Sequence, residues 1–171
     1  MKISLCNEVI REMTFAAQCD FAAALGYDGL EVAPFTLSDT PHVPGAIDAA
    51  ATRKAARDAG IEITSLHWLL VAPEGLSITD PDNALRARTV DVMRRLIDLC
   101  AELGGKALVH GSPVQRGLTP GDEEGAKARA LDCFAAVAED AQAAGVVYCI
   151  EPLAPADADF INRVGEAAAM V

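Results

Sequence analysis

Four times in this chain a helical stretch ends on glycine and a short apolar run begins: Ala24-Leu25-Gly26-Tyr27, Ala59-Gly60-Ile61, Leu103-Gly104-Gly105 and Ala144-Gly145-Val146. Glycine closes a helix because it alone enters the left-handed region without steric cost. A change from helical to strand patterning just past it marks a helix-to-strand turn. Strict alternation of such units demands a parallel sheet, because parallel neighbours need a crossover connection long enough to hold a helix.

The spacing predicts strands over Ile3–Leu5, Tyr27–Val32, Ile61–Leu66, Lys106–Val109 and Val146–Ile150. Between them it predicts helices over Thr14–Leu25, capped by Thr14, then Ala46–Ala59, about Pro81–Leu103, capped by Asp80, and Asp122–Ala144. A tail from about Phe160 to Val171 begins a fifth helix. Proline- and glycine-rich loops span Pro34–Pro44, Leu70–Pro81 and Gly111–Gly121. No linker or low-complexity tract interrupts residues 1–171, which read as one domain. The expected class is α/β: a (β/α)8 barrel cut to about five parallel βα units, with its first and fifth strands at open edges.

The residues at the strand ends narrow the chemistry. Strand one runs into Asn7-Glu8, strand two carries Glu31, strand three delivers His67-Trp68, strand four His110-Gly111-Ser112, and strand five Glu151-Pro152. In a parallel barrel the C-terminal strand ends converge on one mouth, where catalytic side chains gather. Imidazole and carboxylate are ligands for Zn, Mn or Co, and a carboxylate also moves protons. Glu151 emerges directly from the apolar run Val146–Ile150 and reads either as a buried carboxylate that needs a cation or a hydrogen-bond network, or as a surface residue at the strand–loop edge. His67 and His110 read either as site residues or as core histidines bonded to backbone. Glu31 reads as a mouth residue or as a salt-bridge partner. Trp68 reads as a wall for the C–H face of a sugar or as packing against the next helix. Arg116 reads as a holder of a phosphate or a sugar hydroxyl, or as a solvated loop residue. His42 reads as a plain loop residue.

Composition excludes several alternatives. The formal charge of −11 repels phosphate backbones, so no nucleic-acid partner is expected. No apolar run approaches a membrane span, and the N-terminus reads as a strand, not a signal peptide. Five cysteines without a CxxC pair read as buried reduced thiols of a cytoplasmic protein. There is no GxGxxG or P-loop, and Ser112 lacks the flanking glycines of a nucleophile elbow.

The segments GYDGLEV (26–32), ITSLHWLL (63–70), LGGKALVHGSPVQR (103–116), IEPL (150–153) and DADFINRVGEA (157–167) together resemble the xylose isomerase-like TIM-barrel superfamily, in its sugar phosphate isomerase/epimerase branch. The resemblance implies that Glu151 is both a metal ligand and an acid/base carboxylate. It implies substrate contacts for Glu31 and His67, and a place at the site for His110. Asp157 is the nearest counterpart of a substrate-contacting Glu, with Ala158 where a Thr is usual. The implied cofactor is a divalent metal (Mn, Co, Mg or Zn). The implied reaction on a sugar or sugar phosphate is proton transfer next to a carbonyl through an enediolate. The family's remaining metal ligands and second catalytic Glu come from strands six to eight, so this stretch alone is expected to have little turnover. Two rival readings stand beside it. An endonuclease-IV-like zinc hydrolase would ligate metal through His67, His110 and Glu151. An inactive fragment would either pair through its open sheet edges into a homo-oligomer or be part of a protein of roughly 260 residues.

Overall fold

The structure, a computed structural model, describes residues 1–171. Five strands, β1 (Ser4–Cys6), β2 (Gly29–Val32), β3 (Glu62–Leu66), β4 (Ala107–His110) and β5 (Val147–Ile150), form one parallel sheet in the order β1-β2-β3-β4-β5. Helices α1 (Phe15–Ala24), α2 (Ala49–Asp58), α3 (Asn83–Leu103) and α4 (Glu123–Ala144) alternate with them, and α5 (Val164–Ala168) follows β5. Successive helices pack side by side against one face of the sheet. This is the α/β arrangement expected from the repeated turn.

That turn is built the same way each time. Gly26, Gly60, Gly104 and Gly145 all have φ between 70 and 85°. The next residue's N–H then reaches back to a carbonyl five residues earlier: Tyr27 to Ala22, Ile61 to Ala56, Gly105 to Cys100 and Val146 to Ala141, at 2.9–3.1 Å. This is the Schellman closure, which satisfies helix-end carbonyls while turning the chain into the next strand.

Some boundaries differ from expectation. Asp82, not Asp80, caps α3: its carboxylate accepts the Ala84 N–H at 2.8 Å, leaving Pro81 outside the helix. Asp80 instead accepts the Asp82 N–H in the preceding turn. α2 begins at Ala49 because Asp48 accepts the Ala51 N–H. The tail is irregular up to Arg163, and α5 covers only five residues.

A core of 31 buried residues lies between sheet and helices, with Leu30, Val32, Leu66 and Leu108 from the strands meeting Met93, Leu96, Ile97 and Val137 from α3 and α4. Strand alternation sends every second side chain to the opposite face. β3 breaks its register once: Leu30 pairs with Ile63, but Glu31 pairs with Ser65, so Thr64 is an extra residue. The hydroxyl of Thr64 donates to the Leu30 carbonyl (3.2 Å) and shares a second hydrogen bond with Ser4 Oγ (2.9 Å). A one-residue shift exchanges the faces of everything beyond it. Here it sets Ser65 level with Glu31 and turns His67 toward the same side.

Candidate active site at the strand ends

Beyond the C-terminal ends of the strands lies a pocket of about 380 Å³, lined by Cys6, Glu31, His67, Trp68, Glu151 and Asp157, with Val109, Gly111, Ser112, Pro113 and Leu153. The expected residues Glu31, His67, Trp68, Glu151 and Asp157 are therefore brought together.

One wall is a row across three strands. Cys6 pairs in register with Glu31, and Glu31 with Ser65. Glu31 accepts from the Cys6 thiol at 3.0 Å on Oε2 and from Ser65 Oγ at 2.8 Å on Oε1. His67 Nδ1 lies 3.7 Å from Glu31 Oε2, and His67 Nε2 lies 3.0 Å from Glu8 Oε2. The second contact is close but misdirected: neither of those two buried atoms has an aligned hydrogen-bond partner. Burial, and then the hydrogen bond to Glu31, push the Cys6 thiol up to about 12. Glu8 is held in place by its neighbour Asn7. That fully buried amide accepts the Ala33 N–H (2.7 Å) and donates to Gln18 (3.1 Å) and Thr36 (2.7 Å), locking the turn after β1 onto β2 and α1. Trp68 follows His67 at φ 51°, a left-handed conformation rare for a large side chain, and its indole is 40% exposed at the rim. Trp68 lies on the lining of the pocket.

The other wall is barer. The Glu151 carboxylate is exposed and makes no hydrogen bond with the protein. It lies over Gly111, where any β-carbon would overlap Glu151 Oε2. Asp157 stands beside it on the exposed loop after β5.

Two expected site residues are elsewhere. His110 points to the helix face of β4, away from the pocket and from His67. It is fully buried, its Nδ1 lies 2.9 Å from the Tyr148 hydroxyl, and its ring meets Phe134 edge-on at 5.0 Å. The reason is parity: Val109 and Gly111 face the pocket, so the residue between them cannot. Burial, with a smaller push from Arg116, lowers its pKa to about 3, so it is a neutral core imidazole. The zinc set of His67, His110 and Glu151 is therefore not assembled. Arg116 is neither solvated nor a pocket residue. Its fully buried guanidinium donates from Nη1 to the Glu151 backbone carbonyl at 2.8 Å, bracing the strand end from behind. Burial holds its pKa below the usual guanidinium range, opposed by the charge of Glu151.

Sequence reasoning missed Cys6 and Ser65 as site residues and passed over Glu8. All five cysteines are free, but only Cys19, Cys100 and Cys133 are buried. Cys6 and Cys149 are half-exposed. Parity along β1 was the available signal for Cys6. Nothing in the sequence marked the bulge that admits Ser65. His42 is a half-buried loop residue whose Nδ1 has no partner.

The profile of the family described as "Xylose isomerase-like TIM barrel" matches residues 19–171. The chain belongs to that family. Among solved structures, this member of the xylose isomerase-like family is similar to a D-psicose 3-epimerase crystallised in the presence of D-fructose (22% identity, TM-score 0.81, 99% of this chain and 58% of that one). It is also similar to the 3-keto-D-glucoside 4-epimerase YcjR from E. coli (19%, TM-score 0.79, 99% and 63%). A third similar structure is protein SMc04130 from Sinorhizobium meliloti 1021 (28%, TM-score 0.75, 98% and 57%). The chain thus spans about three-fifths of the length of each. Curated protein sequences give no match. No helix is long and apolar enough to cross a membrane.

Proposed function

We propose that this member of the xylose isomerase-like family contributes one half of a metal-dependent sugar isomerase or epimerase site, with Glu151 as metal ligand and acid/base group. The observation that carries this reading is the state of Glu151: a carboxylate at a strand end, aimed into a pocket, with no donor from the protein to satisfy it. A solvent-facing carboxylate free of protein donors and anchored through its own backbone is suited to exchange its water for a divalent cation. That cation, when bound, supplies Lewis-acid polarisation of a substrate carbonyl.

The chain's own residues supply the rest on this side of the pocket. Glu151 takes or returns the proton on the carbon next to the carbonyl, the step that links epimers or aldose and ketose through an enediolate. Glu31 and His67 offer acceptor and donor groups to sugar hydroxyls, and Asp157 offers another acceptor. The face of Trp68 covers the C–H surface of the ring and excludes water. Arg116 keeps the Glu151 backbone from shifting. Reduced thiols fit a cytoplasmic setting. The two sugar epimerases named above share the fold and give the substrate class its direction.

Trp68 is the only tryptophan, so its fluorescence reports on the pocket directly. Mn²⁺ is expected to quench it saturably, and a ketose such as D-fructose to change the quenched signal. Glu151→Gln is expected to weaken Mn²⁺ binding by more than about tenfold. Unaltered Mn²⁺ binding in that variant would sink the assignment.

A further inference from the structure

The opposite wall of the same pocket carries Cys6, which the proposed reaction leaves unused, beside the two residues proposed to contact the sugar, Glu31 and His67. Cys6 Sγ, Glu31 Oε2 and His67 Nδ1 lie within 4.8 Å of one another. We propose that Cys6, Glu31 and His67 form a second cation site, distinct from Glu151 and selective for a thiophilic divalent ion such as Zn²⁺.

Three observations carry it. The first is spacing. Tetrahedral zinc with sulfur, nitrogen and oxygen ligands holds neighbouring donor atoms about 3.3–3.6 Å apart. Here Sγ–Oε2 is 3.0 Å and Oε2–Nδ1 is 3.7 Å, with no intervening side chain. The third pair lies within 4.8 Å, so closing around an ion requires side-chain shifts of up to about an ångström.

The second is the state of His67. The residue is only 8% exposed, yet Nδ1 makes no hydrogen bond and faces the Glu31 carboxylate. Its far nitrogen, Nε2, sits 3.0 Å from Glu8 Oε2, and both of those atoms lack an aligned partner. A carboxylate behind a ligating imidazole favours the tautomer that presents its other nitrogen to a metal, and Glu8 does so here by its charge and not by an aligned hydrogen bond. With the proton on Nε2 toward Glu8, the Nδ1 lone pair faces the Glu31 oxygen. Two acceptors facing each other on the pocket wall attract a cation between them.

The third is rigidity. Cys6 and Glu31 are register partners in the sheet, and Ser65 holds the other Glu31 oxygen. Preformed geometry of this kind reduces the ordering cost of binding. The ion displaces the Cys6 thiol proton to solvent, leaving a thiolate ligand. Because Cys6, Glu31 and His67 all line the pocket, a water or a substrate oxygen could complete the set of ligands.

Co²⁺ binding to the full chain tests this, because a cobalt–thiolate bond gives a near-ultraviolet charge-transfer band that a carboxylate site cannot. The band is expected in the wild type and in Glu151→Gln, and absent in Cys6→Ser. His67→Gln is expected to weaken Co²⁺ binding by about tenfold or more. Cys149→Ser is expected to keep the band, and Zn²⁺ to bleach it by competition. A band that survives in Cys6→Ser, one that disappears in Glu151→Gln, or no band in wild-type protein that binds Co²⁺ would each overturn the site. Loss of Mn²⁺ quenching in Glu151→Gln with the band intact leaves both readings standing. Mn²⁺ binding indifferent to Glu151 with the band intact removes only the first.

Discussion

His110 makes the stability of this chain sensitive to mild acid in a way that can be isolated. Its ordinary pKa is 6.5, and in the fold it falls to about 3 because burial, then Arg116, disfavour the imidazolium. A base whose pKa is depressed by folding binds more protons when unfolded. Its contribution is therefore complete above about pH 6.5 and is lost as the pH falls from there toward 3. The loss approaches 1.4 kcal/mol per pH unit within that window, giving about 2 kcal/mol at pH 5 relative to pH 7. The comparison protein is His110→Phe combined with Tyr148→Phe. It keeps an edge-on ring against Phe134 and leaves no hydroxyl without its partner at position 148. Urea unfolding of both proteins at pH 7 and pH 5 cancels the carboxylates they share. The wild type is expected to lose about 2 kcal/mol more than the double variant. Equal losses would mean that the imidazole is solvated or paired in the fold, and the placement of His110 behind the sheet would be wrong.

Local geometry sets three further outcomes. Gly29→Ala sets a methyl group against the Glu62 carbonyl oxygen at 2.5 Å and Thr64 Cγ2 at 2.7 Å, and is expected to cost about 1–3 kcal/mol in urea unfolding. A neutral effect would place the β2–β3 bulge elsewhere. Asp82→Ala removes the α3 cap and is expected to cost about 1 kcal/mol, while Asp80→Ala costs less. The reverse order in thermal melts would restore the helix start expected from the sequence. Gly111→Ala pushes the Glu151 side chain out of its resting place without left-handed backbone strain. It is expected to lower Mn²⁺ affinity measured by Trp68 quenching while leaving the melting temperature nearly unchanged. Unchanged affinity would show that the carboxylate finds its ligand geometry without that vacancy.

The fold was legible because it is written redundantly. Four glycines at helix ends, each leading into an apolar run, fix both the order and the parallel sense of the strands, and all four close by the same pair of bonds. The helix starts were less legible because Asp80 and Asp82, like Ala46 and Asp48, lie within a turn of each other, and only the side-chain bond decides between them. At the site, Glu31, His67 and Glu151 were legible as polar residues ending apolar strands. His110 satisfied the same rule and failed, because a strand end has two faces. Its neighbours Val109 and Gly111, both uncharged, take the pocket side. Arg116 was read as a loop residue because the sequence does not reveal that this loop folds beneath β5 and buries the guanidinium against a carbonyl.

The two walls of the pocket obey different physical rules. On the side of β1–β3 every polar side chain has a neighbour: Glu31 takes two donors, His67 lies between two carboxylates, and a bulge at Thr64 is spent to bring Ser65 and His67 into line. Such a row is rigid and holds its geometry whether or not anything is bound. On the side of β4–β5 the Glu151 carboxylate has no neighbour within the protein, and only its backbone is fixed, by Arg116 from behind. A group that must change protonation or coordination during a reaction needs freedom at its carboxylate and firmness at its Cα. A group that only orients a hydroxyl needs the opposite. The distribution of hydrogen bonds around the mouth therefore separates the residue proposed to move a proton, whose carboxylate is free, from those proposed to contact a sugar, whose side chains are held.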